Sequence, residues 1–209
     1  MTDFAPLSLS DFLAALASAS PTPGGGTAAA VAGSMGAALA EMVGHITLSK
    51  EKFASVHDAI RPIADAAQTA RAEFLKLARE DSDAYDAVVA ARKLPKDSEA
   101  EKTARQHQIA VANRQAAEVP MRTAQAAVRL LAALPELAEK GNPNAVSDVG
   151  AAALLLDACV EGALLNVGIN LSGIDEPAFV AEMQRETAVV QEESQRLRSQ
   201  VVALVRRRF

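Results

Sequence analysis

The stretch IADAAQTARAEFLKLAREDSDAYDAV, residues 63–88, decides the fold. Ile63, Ala67, Ala70, Phe74, Leu77, Asp81, Ala84 and Val88 follow alternating steps of four and three, the repeat of a helix face packed against other helices. Asp81 is the one carboxylate in an otherwise apolar stripe.

Working outward, this third helix is predicted from about Ser55 to Lys93, with Pro62 in its first turn or at a kink. Leu94-Pro95-Lys96 ends it, and Ser98 with Glu101 forms a capping box for a fourth segment. That segment continues to Lys140, interrupted by Pro120 and Pro135, with Gly141 as its C-terminal cap. On the other side, Pro21-Thr22-Pro23-Gly24-Gly25-Gly26 separates a first helix, from Ser8 or Ser10 to Ser18, from a second running from Thr27 to about Lys52. Ala29, Gly33, Gly36 or Ala37, Ala40 and Gly44 give the second helix a smooth stripe that another backbone can approach closely. Asn142-Pro143-Asn144 is a turn, Asn144 or Ser147 caps a buried fifth helix, and Gly173 to Pro177 is the next break. Asp175 as N-cap and Pro177 in the first turn then open an amphipathic helix carrying Val180, Met183, Val190, Leu197, Val201 and Leu204.

Composition agrees. Of 209 residues 50% are hydrophobic but only 3% aromatic, and alanine fills the gap, which favours helix over strand. The expectation is an all-α protein, one domain over residues 1–209, a bundle of about five or six long helices. Its surplus of apolar surface points to a homodimer. Thr27–Ser49 and Val149–Leu171 could be mistaken for membrane spans, yet they carry Glu41 and His45, and Asp157, Glu161, Asn166 and Asn170. Such groups are costly in lipid, so both read as buried core helices and no membrane partner is expected.

The net charge of −5 leaves no basic footprint for nucleic acid, and Arg206-Arg207-Arg208 complements a helix C-terminus. A single cysteine, Cys159, excludes an internal disulfide framework and points to a reducing, cytoplasmic compartment. Met1-Thr2-Asp3 has no basic segment followed by an apolar one, so no signal peptide is expected. His45, His57 and His107 have no His or Cys partner at helical spacing, so no metal site is expected.

A carboxylate facing a bundle interior is either neutralised by a structural partner or used, with a shifted pKa suited to proton transfer or to holding a cation; Asp81 is the sharpest such signal. Glu41, Asp157 and Glu161 are its rivals on the buried helices. The glycine segment before the second helix is either a plain turn or a backbone N–H site at a positive helix end. It is neither a Walker loop nor a complete dinucleotide fingerprint. Asn142, Asn144, Ser147 and Asp148 cluster at a helix start, as caps or as ligand contacts. Asn166 and Asn170, four apart on a buried helix, require hydrogen-bond partners. Lys50 and Lys52 either complement the end of the second helix or place an ammonium near a bound anion.

Taken in order, Pro21-Thr22-Pro23-Gly24-Gly25-Gly26, Met35-Gly36-Ala37-Ala38-Leu39, Met42-Val43, Asp81 with Ala84-Tyr85, and Leu94-Pro95-Lys96 with Glu101-Lys102 and Arg105 form a series. It continues through Val119-Pro120, Gly141-Asn142, Asn144, Ser147-Asp148, Asn166-Val167 and Ile169-Asn170. The series resembles the cyclodeaminase/cyclohydrolase family over nearly the whole chain. Two departures stand out: relatives often carry Gly before the basic pair where this chain has Ser49-Lys50-Glu51-Lys52, and commonly Gln where it has Ala110.

The resemblance implies an all-helical homodimer that takes a tetrahydrofolate derivative as substrate, with no prosthetic group and no metal. For a stand-alone chain it implies reversible hydrolysis of 5,10-methenyltetrahydrofolate to 10-formyltetrahydrofolate. The alternatives are formiminotetrahydrofolate cyclodeaminase activity or a non-catalytic folate-binding dimer. The roles implied are Asp81 as base, with Asp148 as rival carboxylate, and Lys50 as proton donor or polariser of the adduct oxygen. Pro23, Gly24, Gly25, Gly26, Asn142, Asn144, Ser147, Asn166 and Asn170 are implied to bind the folate.

Overall fold

The computed structural model describes Phe4 and residues 6–208. The chain forms α1 (Leu9–Leu16), α2 (Gly25–Leu48), α3 (His57–Arg92), α4 (Glu99–Leu131), α5 (Leu134–Lys140), α6 (Val146–Leu171) and α7 (Pro177–Arg206). Five of these are long, and the described residues contain no strand, as the alanine-rich composition requires. Short 3-10 turns, Glu51–Val56 and Pro143–Ala145, lead into α3 and α6.

Helices α2, α3, α4 and α6 close a ring in which each packs on the next, and α7 lies over α6 and α4. The α3 stripe faces inward as its spacing demands: Ile63, Ala67, Phe74, Leu77, Ala84 and Val88 are all buried. On α2 the small-residue stripe does what its spacing suggests. A Cβ on Gly33 would stand 2.8 Å from both Cys159 Sγ and Phe74 Cε1, and one on Gly44 would stand 2.7 Å from Ala64 Cβ. Phe74 and the backbone of α2 are thus in direct contact, and truncating so buried an aromatic would cost about 3–5 kcal/mol.

Several boundaries differ from those read in the sequence. α2 begins at Gly25 and stops at Leu48, and Glu51–Val56 winds as 3-10 before α3 starts at His57. Pro120 does not interrupt α4, which passes straight through it, whereas Pro135 stands in the first turn of α5 and does mark a break. Neither Asn144 nor Ser147 caps α6; the Asn142 side chain accepts from Asn144 N–H and caps the preceding 3-10 turn. The N-cap of α7 is Glu176 rather than Asp175. The Ser98–Glu101 capping box and the Ser8 cap of α1 form as their spacing requires.

Candidate functional site

α3 runs antiparallel to α2, so Asp81 meets the N-terminus of α2, while the α3–α4 hairpin projects beyond that end of the bundle. A cleft of about 440 Å³ lies at the base of this projection, in the size range of small-molecule sites. Gly24, Gly25 and Gly26 line one wall, Asp81, Tyr85, Val88 and Arg92 of α3 a second, Asn113 and Ala116 of α4 a third, and Asn166, Ile169 and Asn170 of α6 a fourth.

Asp81 is partly buried. The Thr27 hydroxyl donates to its Oδ2 at 2.9 Å and lies 3.1 Å from the Ser82 hydroxyl. Burial pushes the Asp81 carboxyl above the usual carboxylate range, and hydrogen bonds from the Thr27 hydroxyl and backbone oppose that shift only in part. No Lys, Arg or His forms an ion pair with Asp81 among the described residues. Its rivals differ. Glu41 is held by Arg71 at 2.7 Å, Asp157 accepts from Ser194 at 2.7 Å and pairs with Arg198 at 3.2 Å, and Glu161 accepts from Gln191 and Gln195. Of these four carboxylates Asp81 is therefore the one left available, and it faces a cavity.

Three asparagines hold the opposite walls. Asn113 donates to the Gly173 carbonyl at 2.9 Å, Asn166 to the Gly162 carbonyl at 2.9 Å, and Asn170 to the Ala116 carbonyl at 2.6 Å. Each uses its amide N–H this way, and each amide oxygen has no donor among the described residues. The cleft thus combines one carboxylate with several hydrogen-bond acceptors, a set suited to a ligand that is cationic and rich in N–H groups.

Of the residues singled out in the sequence, the structure brings together Gly24, Gly25, Gly26, Asp81, Asn166 and Asn170. Pro23 is buried behind the loop and does not line the cleft. Lys50, Asn142, Asn144, Ser147 and Asp148 gather at the other end of the bundle, where the Asn142 N–H donates to Thr47 Oγ1 at 2.9 Å. With α2 24 residues long, that end lies about 36 Å from the cleft within one chain. Ala110 is exposed on α4 and does not line the cleft. Sequence reasoning overlooked Arg92 and Asn113 as cleft residues, and the buried Thr27 as the donor to Asp81. Arg92 was findable, since it continues from Asp81 at the helical repeat, whereas Asn113 enters only through the packing of α4 on the α6–α7 turn.

A profile of the family described as formiminotransferase-cyclodeaminase matches residues 8–189. Methenyltetrahydrofolate cyclohydrolase of Methylorubrum extorquens is 39% identical over 175 residues, 84% of this chain and 84% of that protein. Formimidoyltransferase-cyclodeaminase of Sus scrofa is 37% identical over 88% of this chain, which spans 34% of that longer protein. Among solved structures, formiminotetrahydrofolate cyclodeaminase of Thermotoga maritima matches with a TM-score of 0.87 and 33% identity, covering 96% of both chains. With a profile matched over most of its length and a relative this similar across most of both sequences, the chain belongs to the formiminotransferase-cyclodeaminase family.

Proposed function

We propose that this chain catalyses the reversible hydrolysis of 5,10-methenyltetrahydrofolate to 10-formyltetrahydrofolate, with Asp81 as general base. The observation that carries the reading is the Asp81 carboxylate, free of any cationic partner among the described residues and lining the cleft between α2, α3 and α6. The Methylorubrum relative, named for this reaction, supports it across 84% of both chains.

The methenyl bridge is an amidinium-like cation, and a partly buried carboxylate stabilises such a charge in a site of low dielectric. Water adds to the bridge carbon while Asp81 takes one of its protons, giving a neutral tetrahedral adduct. The adduct hydroxyl then loses its proton as the C–O double bond forms, the bond from that carbon to N5 breaks, and N5 takes the proton held by Asp81. One proton is released overall, and the charge is balanced. The raised pKa of Asp81 suits both halves, because a base that accepts and then returns a proton works best when its pKa nears the working pH. The unused amide oxygens of Asn113, Asn166 and Asn170 offer acceptors to the N–H groups of the pterin.

A second reading is favoured by the Thermotoga cyclodeaminase structure. In it N10 attacks the formimino carbon of 5-formiminotetrahydrofolate, and the adduct expels ammonia once that nitrogen is protonated. Purified protein offered each substrate separates the two: loss of methenyl absorbance above the buffer rate supports the hydrolase, and ammonia release with methenyl formation supports the cyclodeaminase. Tight binding with neither reaction would leave a folate-binding protein.

The proposal includes a homodimer. Met35 and Met42 of α2 and Leu154, Leu165 and Ile169 of α6 stand exposed along one face of two adjacent helices. Ile169 also lines the cleft, so whatever covers this face borders the substrate. A two-fold axis across the middle of the face would run the partner's helices antiparallel and bring its end carrying Lys50, Asn144 and Ser147 toward the cleft. The setting proposed is a reducing cytoplasm, and no prosthetic group is invoked.

A further inference from the structure

Asp81, Tyr85, Val88 and Arg92 lie at steps of four, three and four, so they share one face of α3, and all four line the cleft. Among the described residues Asp81 and Arg92 are the only charged ones that line it, and their signs are opposite. Eleven residues of helix put about 16 Å between them along the axis, with Arg92 at the outer end where the α3–α4 hairpin projects. Tyr85, the single tyrosine of the chain, stands between them, 43% exposed.

Arg61, Arg79 and Arg92 of α3 form no ion pair among the described residues, and of these three Arg92 lines the cleft, whereas other arginines of the same helix pair are engaged. Arg71 pairs with Glu41, Arg122 with Glu80 and Arg129 with Glu73. The Arg92 guanidinium has no such partner among the described residues. Its backbone is nevertheless fixed, because Arg105 donates from Nε and Nη2 to the Arg92 carbonyl oxygen at 3.2 and 3.1 Å. A cation in the last turn of α3 is favourable with the helix dipole, which accounts for the charge. The dipole does not account for its place on the cleft-lining face, in register with Asp81.

Resting on the folate reading above, we infer that this face of α3 sets the direction of the substrate, with Arg92 as the subsite for its glutamyl carboxylates. A methenyl folate is itself polar in this sense: a cationic bridge, then a flat aminobenzoyl ring, then an anionic amino-acid tail. The face of α3 presents the complement in the same order, a carboxylate, an aromatic ring and a guanidinium. Arg suits the outer position because its planar fork binds a carboxylate through two parallel N–H bonds. Tyr85 offers its ring to the aminobenzoyl group, and the tail leaves the cleft past Arg105, whose positive charge adds to the field there.

The test compares methenyltetrahydrofolate with methenyltetrahydropteroate, which lacks the glutamyl residue, on the full-length wild-type protein, Arg92→Gln and Arg92→Lys. Arg92→Gln is expected to raise KM for the glutamylated substrate about tenfold, with the loss in kcat much smaller, and to leave the KM for the pteroate unchanged. Arg92→Lys should recover part of the difference. An equal change for both substrates, or none for either, would overturn the assignment. If the wild-type protein turns over neither substrate, the activity proposed above fails instead, and calorimetric titration of tetrahydrofolate against tetrahydropteroate decides Arg92 by the same ratio.

Discussion

Asn170 and Pro120 act on one carbonyl: Asn170 Nδ2 donates at 2.6 Å to the oxygen of Ala116, the group that Pro120, four residues on, has no N–H to satisfy. α4 therefore passes through a proline in its interior because α6 supplies the missing donor. The same bond aims Asn170 into the cleft.

This pairing predicts a non-additive cycle. Asn170→Ala should destabilise the protein by about 1–3 kcal/mol, since it leaves a carbonyl with no donor. Pro120→Ala restores the N–H, so the double variant should lose clearly less than the sum of the two single changes. Urea denaturation of the four proteins reads the coupling directly. Strict additivity would mean that Asn170 does not repair the proline gap.

Replacing Asp81 by Asn should lower kcat about 10²–10⁴-fold while leaving the helical circular dichroism unchanged. Because burial raises this carboxyl, the acid limb of the wild-type profile should lie at higher pH than an ordinary Asp titration near about 3.9, activity being lost as pH falls through it. The stability effect has the opposite sign. A carboxyl whose folded pKa exceeds its unfolded one contributes most below the unfolded pKa and loses that contribution as pH rises through the folded one. Asp81→Asn should therefore have a Tm equal to or above wild type near pH 7, the advantage shrinking as pH falls toward about 4. A lower Tm at neutral pH would mean that the carboxylate is held for structure.

Gly26 is confined by the same carboxylate. A Cβ there would stand 2.7 Å from Asp81 Cγ and 2.8 Å from Oδ2, and closer still to Oδ1. Gly26→Ala should cost about 1–3 kcal/mol of stability as an overpacked contact and should displace the base, cutting turnover. In an Asp81→Ala background the clashing atoms are gone, so the added stability cost should largely vanish. Thermal denaturation in both backgrounds checks it.

The long helices were legible because their signal repeats over many turns: the four-and-three spacing from Ile63 to Val88 matches the buried face of α3. Asp81 was legible for the same reason, as a carboxylate interrupting that face. What sequence spacing could not supply were contacts made across the fold. Pro120 reads as a break until Asn170, fifty residues later, is placed beside it, and Asp175 reads as a cap although the backbone turns one residue further on. Lys50, Asn142 and Ser147 stand near one another as their shared resemblance suggests, but the length of α2 carries them to the opposite end from Asp81. A motif series along a chain carries no information about which end of a bundle each motif reaches.

That separation makes the exposed face of α2 and α6 testable. Leu165 and Leu154 are 75% and 55% exposed in the single chain, and Met35 is 53% exposed. Were the protein a monomer, Leu165→Glu would replace an exposed apolar side chain by a solvated one, with a stability change within about 0.5 kcal/mol and no effect on assembly. In the proposed dimer the same change buries a carboxylate in an apolar interface, where an unpaired charge is strongly unfavourable. Sedimentation equilibrium should then show a dimer for the wild-type protein and a shift toward monomer for Leu165→Glu and for Leu154→Glu. If the partner's Lys50 end completes the cleft, turnover should fall with the dimer fraction, and raising the protein concentration should restore both together. Full activity in a monomeric variant would show that one chain carries the whole site and that Lys50 and Ser147 take no part in it.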